Sequence, residues 1–146
     1  MKWPYLLMAL TAGILIPVQA GINALLGRVA GGAEAAAFIS FAVGTIVLAA
    51  YLLAFRIALP LGQTFAVSPW WYWTGGAFGA FFVAASVVLV PRLGAGVMIS
   101  VIVAGQIVAS LALDHFGALG YPVRPLDLQR IIGAAFLAAG VFLIKG

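Results

Sequence analysis

Within the apolar stretch IPVQAGINALLGR, Gln19 and Asn23 stand four residues apart, so a helix would carry both amides on one face about one turn from each other. Pro17 precedes them. A proline removes a backbone donor and frees a carbonyl, and inside a membrane that defect survives only where protein or a water-lined cavity satisfies it. Amides on such a face have two uses: they hydrogen-bond a polar solute in a cavity, or they clamp one helix to its neighbour at about 0.6 to 2 kcal/mol per bond. A second set, Gln106, Ser110 and Asp114, is spaced i, i+4, i+8 along a slowly drifting stripe, with His115 directly after it. Asp114 and His115 are the one pair here that could respond to protons. The plainer reading is a helix-end charge, since an intramembrane carboxylate carries a functional presumption only when it lies deep. Enzyme chemistry finds little to use: the chain has no cysteine and one histidine, and lacks a nucleophile-base-orienter set or a metal cluster. Neither metal nor cofactor is expected, and the chain is not read as an enzyme.

These groups need elements to hold them, and composition says which. Of 146 residues, 66% are hydrophobic and 7% charged, with a mean hydropathy of +1.24. A water-soluble core of this length could not hide so much apolar surface. Long uncharged runs favour a helical bundle over a β-barrel, whose strands would alternate polar and apolar residues. The fold class expected is an all-α integral membrane protein, one transmembrane domain over 1–146. The net charge of +4 does not point to nucleic acid, because the basic residues stand singly at the ends of apolar runs instead of forming a patch.

A bilayer core of about 30 Å takes roughly 20 residues at 1.5 Å each. Five runs of that length are expected as spans, at about 3–26, 35–55, 70–90, 94–113 and 126–144. The first has the look of a signal peptide, with Lys2, an apolar run and Val18-Gln19-Ala20 before Gly21. Its apolar character continues past Ala20 to Leu26, so it is read as a span. RIALPLGQTFAVSP carries two prolines and reads as an interfacial loop. Trp70, Trp71, Tyr72 and Trp73 suit the headgroup level, where amphipathic rings sit between water and hydrocarbon. Glu34 and Asp127 near helix starts, and Lys145 after the last span, each favour the helix dipole. Small residues mark expected close packing at Gly75 and Gly79 and at Ser40 and Gly44, while Gly13 and Gly21 flank Pro17 and would permit bending.

Five crossings put the termini on opposite faces. Lys2, Arg56, Arg124 and Arg130 then oppose Arg28, Arg92 and Lys145, four against three. A difference of one predicts almost no preferred orientation under the positive-inside rule. Two readings follow: one fixed orientation with weak signals, or insertion both ways. In the second, two copies can pair antiparallel and reproduce the inverted repeats from which many transporters build a midplane site.

PVQAGINALLG, SFAVGT, WWYWTGGAFGAFFV, VPRLGAG and GQIVASLALDHFG, in that order, resemble the YdcZ-type family of short five-helix proteins in the drug/metabolite transporter superfamily. RIIGAAFLAAGVFLI is also similar to the closing helix of the superfamily's EamA-like repeats. The resemblance covers nearly the whole chain and implies a transporter built from a five-helix unit that occurs singly, paired or fused in tandem. The related small multidrug resistance proteins exchange protons through a first-helix glutamate. This first helix has Gln19 and Asn23 instead, so proton antiport by that route is not implied.

The function expected is transport of a small molecule across a bacterial cytoplasmic membrane by an antiparallel homodimer, through alternating access. Its partners are the substrate and the lipid bilayer, with Gln19, Asn23, Gln106 and Ser110 lining the site. The alternatives are a non-transporting membrane assembly or scaffold protein, and one half of a heterodimeric transporter.

Overall fold

A computed structural model describes residues 2–145; Met1 and Gly146, the ends of the expected domain, lie outside the described residues. Helix α1 (Trp3–Ala30) opens with Pro4, at a position whose backbone donor has no helical partner to lose. It runs past the apolar edge at Leu26, since backbone hydrogen bonding needs no apolar side chain. It stops where Gly31 takes the left-handed conformation (φ 90°) and the Gly32 N–H closes onto the Gly27 carbonyl at 3.0 Å. Helix α2 (Ala33–Ala54) follows, with Glu34 in its first turn. Its C-terminus closes the same way, Ile57 N–H onto the Leu52 carbonyl at 2.9 Å, with Arg56 (φ 53°) in the left-handed position.

The connection expected to be a plain interfacial loop contains a short helix, α3 (Leu61–Val67). Pro60 provides the carbonyl for its first turn, taken by the Thr64 N–H at 2.9 Å, and the Phe65 ring stacks on Trp73 with centroids 4.5 Å apart. Trp70–Trp73 form one 3₁₀ turn leading into α4 (Thr74–Phe116). Proline punctuation made this stretch look irregular. A proline before the first helical turn starts a helix as readily as it ends one.

Helix α4 is regular through Pro91 but broken at Gly94, whose φ 76° and ψ 156° are not helical. A further 3₁₀ turn (Ala118–Gly120) leads to an extended stretch and then α5 (Leu128–Lys145). Among the described residues the all-α architecture has five α-helices. Among the described residues, four helical segments are long and apolar enough to cross a membrane: Trp3–Ala30, Ala33–Ala54, Trp70–Phe116 and Leu128–Lys145. The third counts 47 residues, about 70 Å if unbroken and more than twice a bilayer core. Gly94 divides it.

The described residues fall into two compact units, divided between Arg92 and Leu93. In the first, α1 packs along α2, and the opening part of α4 reaches both: a Cβ on Gly27 would lie 2.8 Å from a Val87 methyl, and one on Gly79 3.1 Å from the Phe41 ring. Small side chains allow this approach, Ala20, Ala36 and Ala37 being buried together with Val83 and Val87. In the second unit, hydrogen bonds between side chains and backbone tie the end of α4 to the start of α5. Large apolar side chains such as Phe38, Phe81 and Phe136 are about three-quarters exposed. A protein in water would bury them; hydrocarbon solvates them.

Candidate functional site

The seam between α1 and α2 has an open groove on each side, and Gln19 and Ser40 line both. One groove, of about 360 Å³, is otherwise walled by Asn23 and apolar residues, among them Ile22, Leu26 and Val43. The other, of about 370 Å³, extends to the first part of α4 and includes Phe41, Gly44, Thr45, Gly79 and Phe82. Gln19 lies 11 residues before Ala30 in α1, roughly 16 Å along the helix axis. That places it inside the span, far from either end of a 28-residue helix.

Asn23 is 4% exposed and Gln19 is exposed, although they share a face. Among the described residues no enclosed side-chain nitrogen or oxygen lacks a partner. The side-chain hydrogen bonds of those residues do not engage Gln19, Asn23 or Ser40. The Asn23 amide therefore opens onto the groove it lines. By contrast, the Thr45 hydroxyl donates to the Phe41 carbonyl at 2.8 Å on its own helix and offers less to a solute. The seam thus presents two amides and a hydroxyl, without formal charge. Such groups donate and accept hydrogen bonds but neither neutralise an ion nor carry a proton.

Other residues singled out by spacing fall as follows. Gly44 and Gly79 border the second groove, whereas a Cβ on Gly13, Gly21, Gly44 or Gly75 would meet nothing within 4 Å. Pro17 sits inside α1 without interrupting it. Gln106 and Ser110 belong to the second unit and are exposed. Gly27 was passed over, yet it is the glycine of closest approach between helices. The i, i+4, i+8 series of Gln19, Asn23 and Gly27 places it on the amide face, but its close partner Val87 lies on another helix that this spacing does not report.

Asp114 and His115 occupy a different setting. The Asp114 carboxylate pairs with the Arg130 guanidinium at 2.5 Å, with side chains 21% and 25% exposed. Arg130 also donates to the Arg124 carbonyl at 2.9 Å, and the Arg124 N–H donates to the Asp114 carbonyl at 2.8 Å. The Leu126 N–H donates to His115 Nδ1 at 3.1 Å, and Asp127 Oδ1 accepts the Arg130 N–H at 2.8 Å, capping α5. These bonds close the connection between α4 and α5 into a clasp. Among the described residues no group of three or more His, Asp or Glu side chains could hold a metal ion.

All-helical architecture, long lipid-exposed helices and an uncharged polar seam define a polytopic membrane protein. The chain belongs to the YdcZ family: residues 4–143 match the family described as "Putative inner membrane exporter, YdcZ". It is 32% identical over 136 residues to "Inner membrane protein YdcZ" of Escherichia coli (strain K12), covering 92% of this chain and 90% of that protein. No solved structure matches the chain. The family resemblance carried by the sequence motifs holds, and the chain is a protein of the inner membrane, in a family whose description is that of an exporter.

Proposed function

We propose that the chain exports a small, uncharged polar solute by alternating access, working as an antiparallel homodimer whose polar seam on α1 and α2 binds that solute. The observation carrying this reading is the seam itself, where Gln19 and Ser40 are shared by two grooves and the Asn23 amide opens into one of them. An uncharged ligand is favoured because a charged one would need a counter-charge in a low-dielectric site, and the seam offers none.

The paired arrangement rests on three supports. Residues 74–93 and 95–116 are each long enough for one crossing, so the break at Gly94 is compatible with five spans. The nearly even charge count then permits both orientations. Five helices are too few to enclose and gate a pathway, whereas two inverted copies supply both wall and gate. Gln106 and Ser110 enter this reading as a second polar stripe, and Pro17, Gly13 and Gly21 as places where α1 bends.

The test is counterflow in proteoliposomes with labelled neutral amino acids and monosaccharides as probes. Wild-type protein should exchange at least one probe, and Gln19→Ala with Asn23→Ala should slow exchange tenfold or more at little cost in melting temperature. A double variant that keeps full flux contradicts the assignment. Loss of thermal stability in a protein that exchanges no probe would favour the scaffold, in which the amides only pack.

A further inference from the structure

The first unit has a second polar cavity, remote in character from the amide seam. It is an open pocket of about 410 Å³ where α1 ends, α2 begins and the first part of α4 ends, and it is lined by Arg28, Arg92, Gly27, Gly32, Val87 and Pro91 among others. Both arginines stand just beyond apolar runs, after Leu26 and after Val90, which puts the pocket at the level where hydrocarbon gives way to headgroups.

We infer that this pocket binds a phosphate-bearing anion, the headgroup of an acidic phospholipid or a soluble phosphate. Two arginines line this one cavity, and an anion there would relieve the like charge they bring to it. Among the described residues the one ion pair joins Asp114 and Arg130, so Arg28 and Arg92 are not matched with a carboxylate. Arg92 is steadied by donating from Nη1 to the Val88 carbonyl at 2.9 Å, which leaves the rest of its donor fork to the pocket. Planar guanidinium forks match phosphate oxygens in pairs. Basic pockets between spans are a common seat for acidic lipid headgroups. Glu34 lies alongside, its Oε2 3.2 Å from the position a Gly32 Cβ would take, and positive charge still predominates. Gly27 contributes by what it lacks: its closeness to Val87 brings the two arginine-bearing helix ends together. The pocket is independent of the export reading, since its groups are not those of the seam.

The experiment uses the full chain purified in a neutral detergent, with phosphatidylglycerol, phosphatidylcholine and inorganic phosphate as probes and native mass spectrometry as the readout. Phosphatidylglycerol should bind at least tenfold more tightly than zwitterionic phosphatidylcholine. Arg28→Gln and Arg92→Gln should each weaken it about tenfold, the expected loss of one charge-assisted contact. The two Arg→Lys variants, which keep charge and lose the fork, should weaken it several-fold, and they keep the proposal testable if a Gln variant does not fold. Displacement of lipid by millimolar inorganic phosphate would identify a soluble anion as the occupant, and resistance to displacement a headgroup; either result supports the site. Equal binding of the two lipids, or unchanged phosphatidylglycerol binding in a folded double Gln variant, would overturn it.

Discussion

At the scale of single residues, Gly27 makes the sharpest mechanical prediction. A methyl added there meets the Val87 side chain at 2.8 Å, and overpacking of this kind costs about 1 to 3 kcal/mol. Gly27→Ala should therefore lower the melting temperature measured in detergent, and adding Val87→Ala should recover most of the loss. If Gly27→Ala is neutral, the close approach of α1 to the first part of α4 is wrong. The amides on the same face make the complementary prediction, because Asn23 is buried at 4% and Gln19 is exposed. Among the described residues neither amide makes a side-chain hydrogen bond, so Gln19→Ala and Asn23→Ala should each shift the same melts only slightly, the buried Asn23 the more of the two. Their shared face was legible from i, i+4 spacing. The weight of Gly27 was not, since it is set by Val87 on a helix distant in sequence, which no local pattern reports.

At the scale of elements, the clasp between α4 and α5 and the break at Gly94 carry the tests. Asp114 and Arg130 form a pair of partly exposed groups, worth about 0.5 to 1 kcal/mol when screened by water. A double-mutant cycle of Asp114→Asn and Arg130→Gln should return a coupling of that size in thermal stability, and additive effects would dismiss the clasp. In the transport assay, Asp114→Asn should leave the pH dependence of flux unchanged if this carboxylate holds the connection together. A pH dependence abolished by that substitution would restore Asp114 and His115 to a proton role. Gly94, at φ 76° and ψ 156°, occupies backbone space essentially reserved for glycine, where another residue costs about 1 to 3 kcal/mol. Gly94→Ala should lower the yield of folded protein and its melting temperature, whereas Gly96→Ala, two residues on, should do much less. The continuation of α1 to Ala30 and of α4 through Pro91 was not legible in the apolar runs, although the all-α class and the long helices followed from them. Helix α3 did not, because seven residues between prolines give too little periodicity and its place depends on the stacking of Phe65 on Trp73. The clasp was equally hidden: Asp114 could be seen as a helix-end charge, but its partner lies across a Gly/Pro-rich connection whose path the sequence does not dictate.

At the scale of the whole molecule, the chain is an inner-membrane protein of the YdcZ family whose helices keep most of their large apolar side chains exposed. Lipid accounts for much of that exposure, and an antiparallel second copy would cover part of the rest. On the five-span reading proposed above, Lys and Arg residues divide four against three between the two faces, too even a division to impose one orientation. Because the chain has no cysteine, single cysteines can be placed beside Arg28 and beside Arg124 in separate variants and labelled in intact cells with an impermeant thiol reagent. The antiparallel homodimer predicts labelling of about half the molecules at each site. Full labelling at one site and none at the other would contradict it.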